Sequence, residues 1–420
     1  MTPVLLALIP CGLALLLAAL LNVERFLLLG VFGTIMFPNT LVAVGAAQIA
    51  AADVVLLIAL AAWLMSNAVR AAPDPRVRDN RVLVAAVIFT TVNAASALWS
   101  NDPSGTAVFA VQLAWITVVT PLIFGSLPRH LPRIREAFWL YIVITSIMAI
   151  RAVIDVVPHL NAHLEGASIL GLNKNALGAF LACGLVLAFV YWLTSRTAPA
   201  RNLFLLAMVL EAAGLFASVS RGAILGALVA IIACSFLLRR RRVVTVVIAA
   251  AATAVFLLTV GPQADRSKDA AGAYDSSLVR VYAWPRALEK IKQKPWLGTG
   301  ATTYRDYLPE LHVGINDANN MFLQTTAETG LLGLAALLFL LYQFVRLWLE
   351  SSRWSGDARV IGAAAGGVAL VTFVHDQVDV TWIRGQTTIA FVMVGIMVAV
   401  RAVVNETQMR SSSATPPGPA

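Results

Sequence analysis

Long apolar stretches recur along this chain and are separated by short polar segments. A helix of about 17 to 25 apolar residues crosses the hydrocarbon of a bilayer. A membrane β-strand instead alternates polar and apolar residues over about ten positions, so these continuous stretches predict helices. They cover residues 4–21, 26–47, 52–69, 82–99, 105–125, 137–157, 173–194, 203–219, 222–238, 243–261, 322–348, 360–380 and 386–404.

The stretch 26–47 is interrupted by Pro38 and Asn39. Proline cannot continue a regular helix, so this stretch can be partly re-entrant. We therefore expect an all-α polytopic membrane protein with about twelve transmembrane helices, thirteen being the alternative. The organisation predicted is transmembrane helices in 1–261, a loop in 262–321, further transmembrane helices in 322–404 and a disordered tail in 405–420.

Composition agrees with this pattern, because 59% of the residues are hydrophobic and only 13% are charged, against about 25% charged in a soluble domain. The formal net charge is +9. In a soluble chain that charge would suggest nucleic acid as a partner. Here the basic residues cluster in short segments that alternation of the helices puts on one side, which the positive-inside rule makes the cytoplasm. These clusters lie at 70–81, 129–135, 196–201, 239–242, 346–359 and 401–410.

The opposite side carries one long segment, residues 262–321, with eight basic and seven acidic residues. It has the features of a folded, mainly helical loop. Ser276 or Ser277 can cap a helix, Trp284, Leu288 and Ile291 then share a face, and Pro295 ends the helix. A second short helix is expected near Thr303–Leu308. The apolar faces can lie on the membrane surface as a lid over a cavity between the helices.

Two arginines on this sparsely basic side are candidates for binding a phosphate. Arg221 lies in the very short link between two predicted helices, and Arg280 lies four residues before Trp284. A guanidinium binds phosphate oxygens with two parallel hydrogen bonds. The alternatives are a snorkelling side chain for Arg221 and an exposed salt bridge for Arg280. Arg286 and Arg305 are weaker candidates of the same kind.

Polar residues crowd the start of the helix predicted after the loop. Asp317, Asn319 and Asn320 directly precede it. Such residues cap helices, and a helix N-terminus also binds anions, so the two interpretations are compatible. His312 lies just upstream and can act as a general base. His375, Asp376, Asp379 and Glu211 lie in or beside apolar stretches, where a structural hydrogen bond and a functional role are both open.

Four ordered local motifs resemble the O-antigen ligase and polymerase superfamily of bacterial envelope glycosyltransferases. They are Asn173-Lys174-Asn175 opening one helix, Ser220-Arg221-Gly222 opening another, Arg280-x-x-x-Trp284 followed by Pro295-Trp296-Leu297-Gly298, and Asn320-x-x-Leu323 followed by Glu328-x-Gly330. Their order and topology agree with the superfamily from about residue 80 to 400.

One position departs from the ligases. Their pattern is His-Asn, nine residues, then Gly-x-x-Gly, and counting back from Gly330 and Gly333 puts Asn319 where the histidine belongs. An asparagine cannot take a proton at neutral pH. If catalysis needs a base, Asp317 or His312 must supply it. The departure argues against the ligase relative to the polymerase, and it argues less against the superfamily.

The resemblance implies a glycosyltransferase that inverts the anomeric centre and uses no divalent metal or other cofactor. Its donor would be a glycan on undecaprenyl pyrophosphate, and its acceptor a lipid A–core sugar or a second lipid-linked glycan. The reaction would take place at the periplasmic face of the bacterial inner membrane. Arg221 and Arg280 would stabilise the leaving pyrophosphate, and Asp317 or His312 would accept the proton. Substrate binding would involve a wider set: Asn319, Asn320, Arg286, Arg305, Trp284 and Lys174.

Two alternatives to the ligase stay open. A polymerase would extend O-antigen or exopolysaccharide by transfer to another lipid-linked repeat. A membrane transporter would have paired broken helices with ionisable groups near the bilayer midplane, to which only Glu211 and the His375 region point.

Overall fold

A computed structural model describes residues 21–34, 42–44, 47–68, 80–126, 130–157, 166–169, 172–240, 276–309, 312–379 and 385–413. The first half contains α1 (Val23–Thr34), α2 (Ala51–Ala68), α3 (Arg81–Ala95), α4 (Pro103–Ala114), α5 (Thr120–Ser126), α6 (Leu131–Val156), α7 (Lys174–Thr194), α8 (Ala198–Ser218) and α9 (Arg221–Leu237). The second half contains α10 (Ser276–Gln293), α11 (Met321–Ser351), α12 (Gly356–His375) and α13 (Gln386–Ser413). A π-helical turn over Trp115–Val119 joins α4 to α5.

Eight helices within the described ranges are long and apolar enough to cross a membrane, once α3 is extended by its terminal 3₁₀ turn and α4 is joined to α5. The chain is therefore a mostly helical, multi-pass membrane protein. Two further helices, α2 and α9, have shorter apolar segments, Ala51–Met65 and Arg221–Leu237. The predicted helices at 4–21 and 243–261 fall outside the described residues.

Three details of the predicted fold are wrong. Val42–Val44 and Ala47–Ile49 are strands β1 and β2 of a hairpin rather than the end of a helix. The expected helix at Thr303–Leu308 is replaced by β3 (Asp306–Leu308), which pairs with β4 (Val313–Ile315). β-branched residues in both hairpins, joined by Tyr307 in the second, favour extended backbone over helix. The tail is also more ordered than predicted, because α13 continues to Ser413 through good helix formers such as Glu406 and Gln408.

The interior of the bundle is formed by α7, α12 and α13, whose apolar segments are mostly buried, whereas α8 is mostly exposed. Helices approach one another closely in a membrane where small residues line the contact. The run Gly366–Gly367 in α12 provides such a surface. Gly366 lies against the Trp348 indole of α11, and Gly367 lies against the Cys234 thiol of α9.

One carboxyl group is fully buried in the middle of this bundle. Glu211 of α8 accepts a hydrogen bond of 2.6 Å from the Thr145 hydroxyl of α6, and Gly184 of α7 leaves room for both side chains. Glu211 thus pairs with a neighbouring polar group. The sequence left a structural and a functional role open for this residue, and the hydrogen bond agrees with the structural one.

The helices end in two chemically different surfaces. At the surface that we call the basic end, Arg25 pairs with Glu136, Arg135 pairs with Asp357 and Arg401 pairs with Glu350, at 3.0 to 4.0 Å. Arg359 also donates to the last carbonyl of α9, Leu237 O, at 2.7 Å. The opposite surface, which we call the loop end, contains the starts of α7, α9, α11 and α13 and the ends of α8 and α12. Among the residues that the structure describes, members of the predicted basic clusters thus gather at a single end of the bundle.

At the loop end, α11 is broken at Gly330, where φ is +68° and ψ is −168°. This region of backbone space is accessible essentially to glycine alone. The break admits the segment that follows α10: Leu331 N–H donates to Pro295 O at 2.8 Å, and Gly300 N–H donates to Glu328 O at 2.8 Å. The other side of this segment is held by α3, since Ala301 N–H donates to Ser96 Oγ at 3.0 Å.

We predict that Gly330→Ala destabilises the protein by about 1–3 kcal/mol, because alanine is strained at this φ and ψ and its methyl group would collide with the Trp296 carbonyl. The measurement is the thermal unfolding midpoint of the detergent-purified protein. Gly33→Ala is the matched control, since nothing lies within 4 Å of a Cβ placed there in α1. Equal midpoints for the two variants would contradict the role given to Gly330.

Candidate functional site

The end of α12 and the start of α11 are joined by direct hydrogen bonds at the loop end. Met321 N–H donates to Asp376 O at 2.8 Å. The Asn320 side chain caps α11 by accepting from Leu323 N–H at 3.0 Å, and its amide donates to Gln377 O at 3.0 Å. One asparagine therefore satisfies backbone groups of both helix ends, which helices otherwise leave unpaired.

Asp379 connects this junction to two more helices. Its carboxylate accepts a hydrogen bond of 2.8 Å from the Asn175 amide in the first turn of α7. It also lies 3.9 Å from Nε2 of His375, the last residue of α12. Gln386, which opens α13, donates to Asn175 O at 3.4 Å. Side chains from the start of α7 and the end of α12 thus meet at one carboxylate, and Gln386 at the start of α13 lies beside them.

His375 is buried at the centre of this convergence, with 1% of its surface exposed. Its Nδ1 has no hydrogen-bond partner among the described residues. Gly222 lies directly on the imidazole, because a Cβ at position 222 would be 2.5 Å from His375 Cδ2. The first turn of α9, which begins at the exposed Arg221, therefore packs on His375.

Arg280 approaches the same cluster from α10. That helix buries Ala283 and Ala287, and Arg280 precedes them on the inner side with its Nε buried. Its positive charge is close enough to act on both Asp317 and His375. The structure therefore brings Arg280 to the start of α11, although Arg280 lies 37 positions before Asp317 in the sequence.

Asp317 is a partly buried carboxylate beside this arginine. Its Oδ1 accepts from Asn319 N–H at 3.0 Å, and Asn319 adopts a left-handed backbone with φ of +48°. Burial raises the pKa of Asp317 above its usual value, Asp379 raises it further, and the Asn319 N–H and the Arg280 charge oppose the rise. A raised pKa brings a carboxylate closer to the range useful for proton transfer.

A second polar network attaches the loop to α11. Ala318 N–H donates to Gln324 Oε1 at 2.7 Å, and the Gln324 amide donates to Glu328 Oε1 at 2.6 Å. Glu328 Oε1 also accepts from Tyr304 N–H at 3.2 Å. The Tyr304 hydroxyl in turn donates to Ala283 O at 3.4 Å. These bonds fix α10, the segment before β3 and the start of α11 relative to one another.

The predicted site residues separate into two groups. Arg280, Asp317, Asn319 and Asn320 lie together, and Arg221 opens the adjacent helix. The others have different surroundings. His312 is exposed in the turn between β3 and β4, and Trp284 is 37% exposed on the outer side of α10. The Arg305 charge acts on Asp102, the Arg286 charge acts on Tyr304, and the Lys174 stem packs on Gly166.

Four residues of the cluster were not selected as site residues from the sequence: Asn175, His375, Asp379 and Gln386. Two signals could have found them. Asn175 belongs to the Asn-Lys-Asn motif that opens α7, and His375 and Asp379 are four residues apart at the end of an apolar helix. Gln386 carries no such signal, since only the packing of α13 against α7 brings it to Asn175.

The arrangement combines groups that bind anions with groups that move protons. Arg221 and Arg280 provide positive charge, and the starts of α9 and α11 provide N-termini, which favour negative charge. Asp317, Asp379 and His375 can exchange protons. Among the described residues, no group of three His, Cys, Asp or Glu side chains is arranged to hold a metal ion.

The fold and this cluster define a class of protein: a multi-pass membrane protein with a polar site at one end of its helical bundle. Comparison with protein families specifies the class further. Residues 206–338, about a third of the chain, match the family model Wzy_C, described as O-antigen ligase. This range includes Arg221, Arg280, Asp317 and Asn320, and it confirms the superfamily that the sequence motifs indicate. No curated protein matches the chain.

We predict that Asp317→Asn stabilises the protein at pH 8. The raised pKa of Asp317 means that its charge opposes folding at high pH, and that this cost disappears as the pH falls toward the ordinary value of 3.8. Asparagine can keep the bond from Asn319 N–H without the charge. Thermal unfolding midpoints at pH 8 and pH 4.5 should show an advantage of the variant that shrinks on acidification.

Asp102→Asn is the matched control, with the opposite sign. The Gly105 N–H and the Ser104 hydroxyl lower the pKa of Asp102, so its charge favours folding at high pH and that contribution is lost on acidification. This variant should be slightly less stable than the parent at pH 8. A lower unfolding midpoint for Asp317→Asn at pH 8 would contradict the inference that burial makes the ionised Asp317 carboxylate unfavourable in the folded protein.

Proposed function

We propose that the protein is a glycosyltransferase that moves a glycan from undecaprenyl pyrophosphate to a sugar hydroxyl at the periplasmic face of the bacterial inner membrane. The observation that carries the proposal is the meeting of Arg280 and the Arg221 turn with the capped start of α11, at the end of the bundle opposite the basic clusters. The positive-inside rule puts the basic end in the cytoplasm. The loop end, with the described part of the segment 262–321, then faces the periplasm.

In this proposal, Arg221 and Arg280 bind the diphosphate of the donor. When the bond between the sugar C1 and the phosphate oxygen breaks, negative charge grows on the departing pyrophosphate. Positive groups fixed in advance by packing stabilise that charge, each contributing roughly 3 kcal/mol in a site that excludes water. Arg280 is held in this way by α10, whose inner side packs on Tyr304, and Arg221 by the turn that rests on His375.

The acceptor hydroxyl loses its proton as its oxygen bonds to C1, and a base must take that proton. Asn319 cannot do so. We assign the role to Asp317, because it is partly buried beside Arg280 and its pKa is raised. General-base catalysis contributes roughly 10²–10⁴-fold. His312 is the less favoured candidate, since it lies exposed in the hairpin turn. Asp379, which contacts Asn175 and His375, is a second carboxylate in the same cluster.

The acceptor distinguishes two forms of the proposal. A ligase would use a lipid A–core sugar, and a polymerase of the Wzy type would use a second undecaprenyl-linked glycan. The family match to residues 206–338 supports the ligase and polymerase family in general. The asparagine at position 319, where ligases of this pattern have histidine, supports the polymerase.

We predict that Arg221→Ala and Arg280→Ala each abolish glycan transfer, by at least about 100-fold on the scale of a lost charge-stabilising donor, while the protein stays in the membrane. The measurement is transfer by purified protein from undecaprenyl-pyrophosphate glycan. Arg151→Ala is the matched control, because Arg151 lies toward the loop end of α6 and pairs with Asp155 at 3.5 Å, away from the cluster. Full activity of the Arg221 variant would remove that residue from the mechanism.

We predict that transfer occurs equally with and without a chelator such as EDTA, and that one of two acceptors is used. Purified protein would be incubated with the lipid-linked donor plus either lipid A–core or excess donor alone. Product on lipid A–core identifies a ligase, and longer lipid-linked chains identify a polymerase. Loss of activity in EDTA, restored by a divalent cation, would contradict the metal-independent mechanism. No product from either acceptor would contradict the proposed function.

A further inference from the structure

A cavity of about 660 Å³ lies at the basic end of the bundle, between the last turn of α11 and the last part of α13. It is remote from the polar cluster, because α11 extends for 31 residues, or roughly 45 Å, between the two. The residues that matter for its chemistry are Arg346, Leu349, Arg353, Val404, Asn405 and Gln408.

The charge of this cavity is positive. Arg346 and Arg353 both line it, and Glu350 is the one carboxylate among the lining residues in the described part of the chain. The charge of Glu350 is offset by Arg401 of α13, whose guanidinium lies 4.0 Å from the carboxylate. Two guanidiniums thus remain in excess, beside the amides of Asn405 and Gln408, which also donate hydrogen bonds.

An apolar stripe of α11 leads directly into the cavity. Leu338, Tyr342, Val345 and Leu349 follow one another at helical spacing, and each has about 40–60% of its surface exposed. Residues at this spacing share one helix face, and in a bundle of membrane-spanning helices an exposed apolar face meets the acyl chains of lipids. Leu349 belongs to both features, since it is 57% exposed and also lines the cavity.

We propose that this cavity binds the phosphate headgroup of an anionic glycerophospholipid, whose acyl chains lie along the Leu338–Leu349 stripe. Arg346 and Arg353 are placed to bind the phosphate oxygens, a geometry for which the guanidinium fork is suited. Basic recesses between helices on the cytoplasmic side are a general site for such headgroups. Free phosphate shares the headgroup chemistry, but it would have no use for the apolar stripe. The site is independent of the proposed glycosyl transfer.

The test is native mass spectrometry of the full-length protein, titrated separately with phosphatidylglycerol, phosphatidylcholine and inorganic phosphate. We expect phosphatidylglycerol to bind more tightly than phosphatidylcholine. In Arg346→Gln/Arg353→Gln that preference should fall by about 30-fold, given the contribution of each basic group at a membrane surface. Arg353 is exposed, so Arg353→Gln alone keeps the test valid if the double variant does not fold.

Two further variants decide between the possible results. Arg239→Gln/Arg240→Gln is the matched control, because it removes the same charge at the basic end but outside the cavity, and it should keep the preference. Leu349→Ser should weaken the binding of phosphatidylglycerol without affecting the binding of inorganic phosphate. The proposal is overturned if the arginine variants bind phosphatidylglycerol like the parent protein, or if the control pair loses the preference equally. It is also overturned if inorganic phosphate binds as tightly as phosphatidylglycerol and Leu349→Ser changes neither affinity.

Discussion

The whole loop end depends on the junction at which the start of α11 is hydrogen-bonded to the end of α12. Helices inside an apolar bundle still end in unpaired backbone groups, and leaving such groups unpaired away from water costs several kcal/mol each. Hydrogen bonds from the Met321 N–H and the Asn320 side chain satisfy such groups at the ends of both helices. The same solution fixes Asp317, His375 and Asp379 around one point, so helix capping and the polar site have a common origin.

Charge divides the molecule into two functional surfaces. At the basic end, arginines pair with carboxylates of neighbouring helices or line the cavity between α11 and α13. At the loop end, Arg280 lies on the inner side of α10 with its Nε buried, and Arg221 opens a turn that rests on His375. Positive groups that are held in place before a reaction begins stabilise negative charge as it develops.

The asparagine at position 319 gives this site its particular chemistry. A left-handed backbone at Asn319 turns its N–H toward Asp317, so the residue positions a carboxylate instead of carrying a proton itself. The proposed reaction uses this carboxylate, which is partly buried beside Arg280, as the proton acceptor.

The membrane class, most of the helices, the charge asymmetry between the two ends and the motifs with Arg221, Arg280 and Asn320 were predictable from the chain. Continuous apolar stretches and capping residues act locally, and local patterns can be read from a chain. The meeting of Asn175, His375, Asp379 and Gln386 was not predictable, because helix packing brings these residues together. Tertiary structure also decided that 306–315 forms a hairpin and that α11 breaks at Gly330. These features depend on contacts between residues distant in the sequence, which no local pattern encodes.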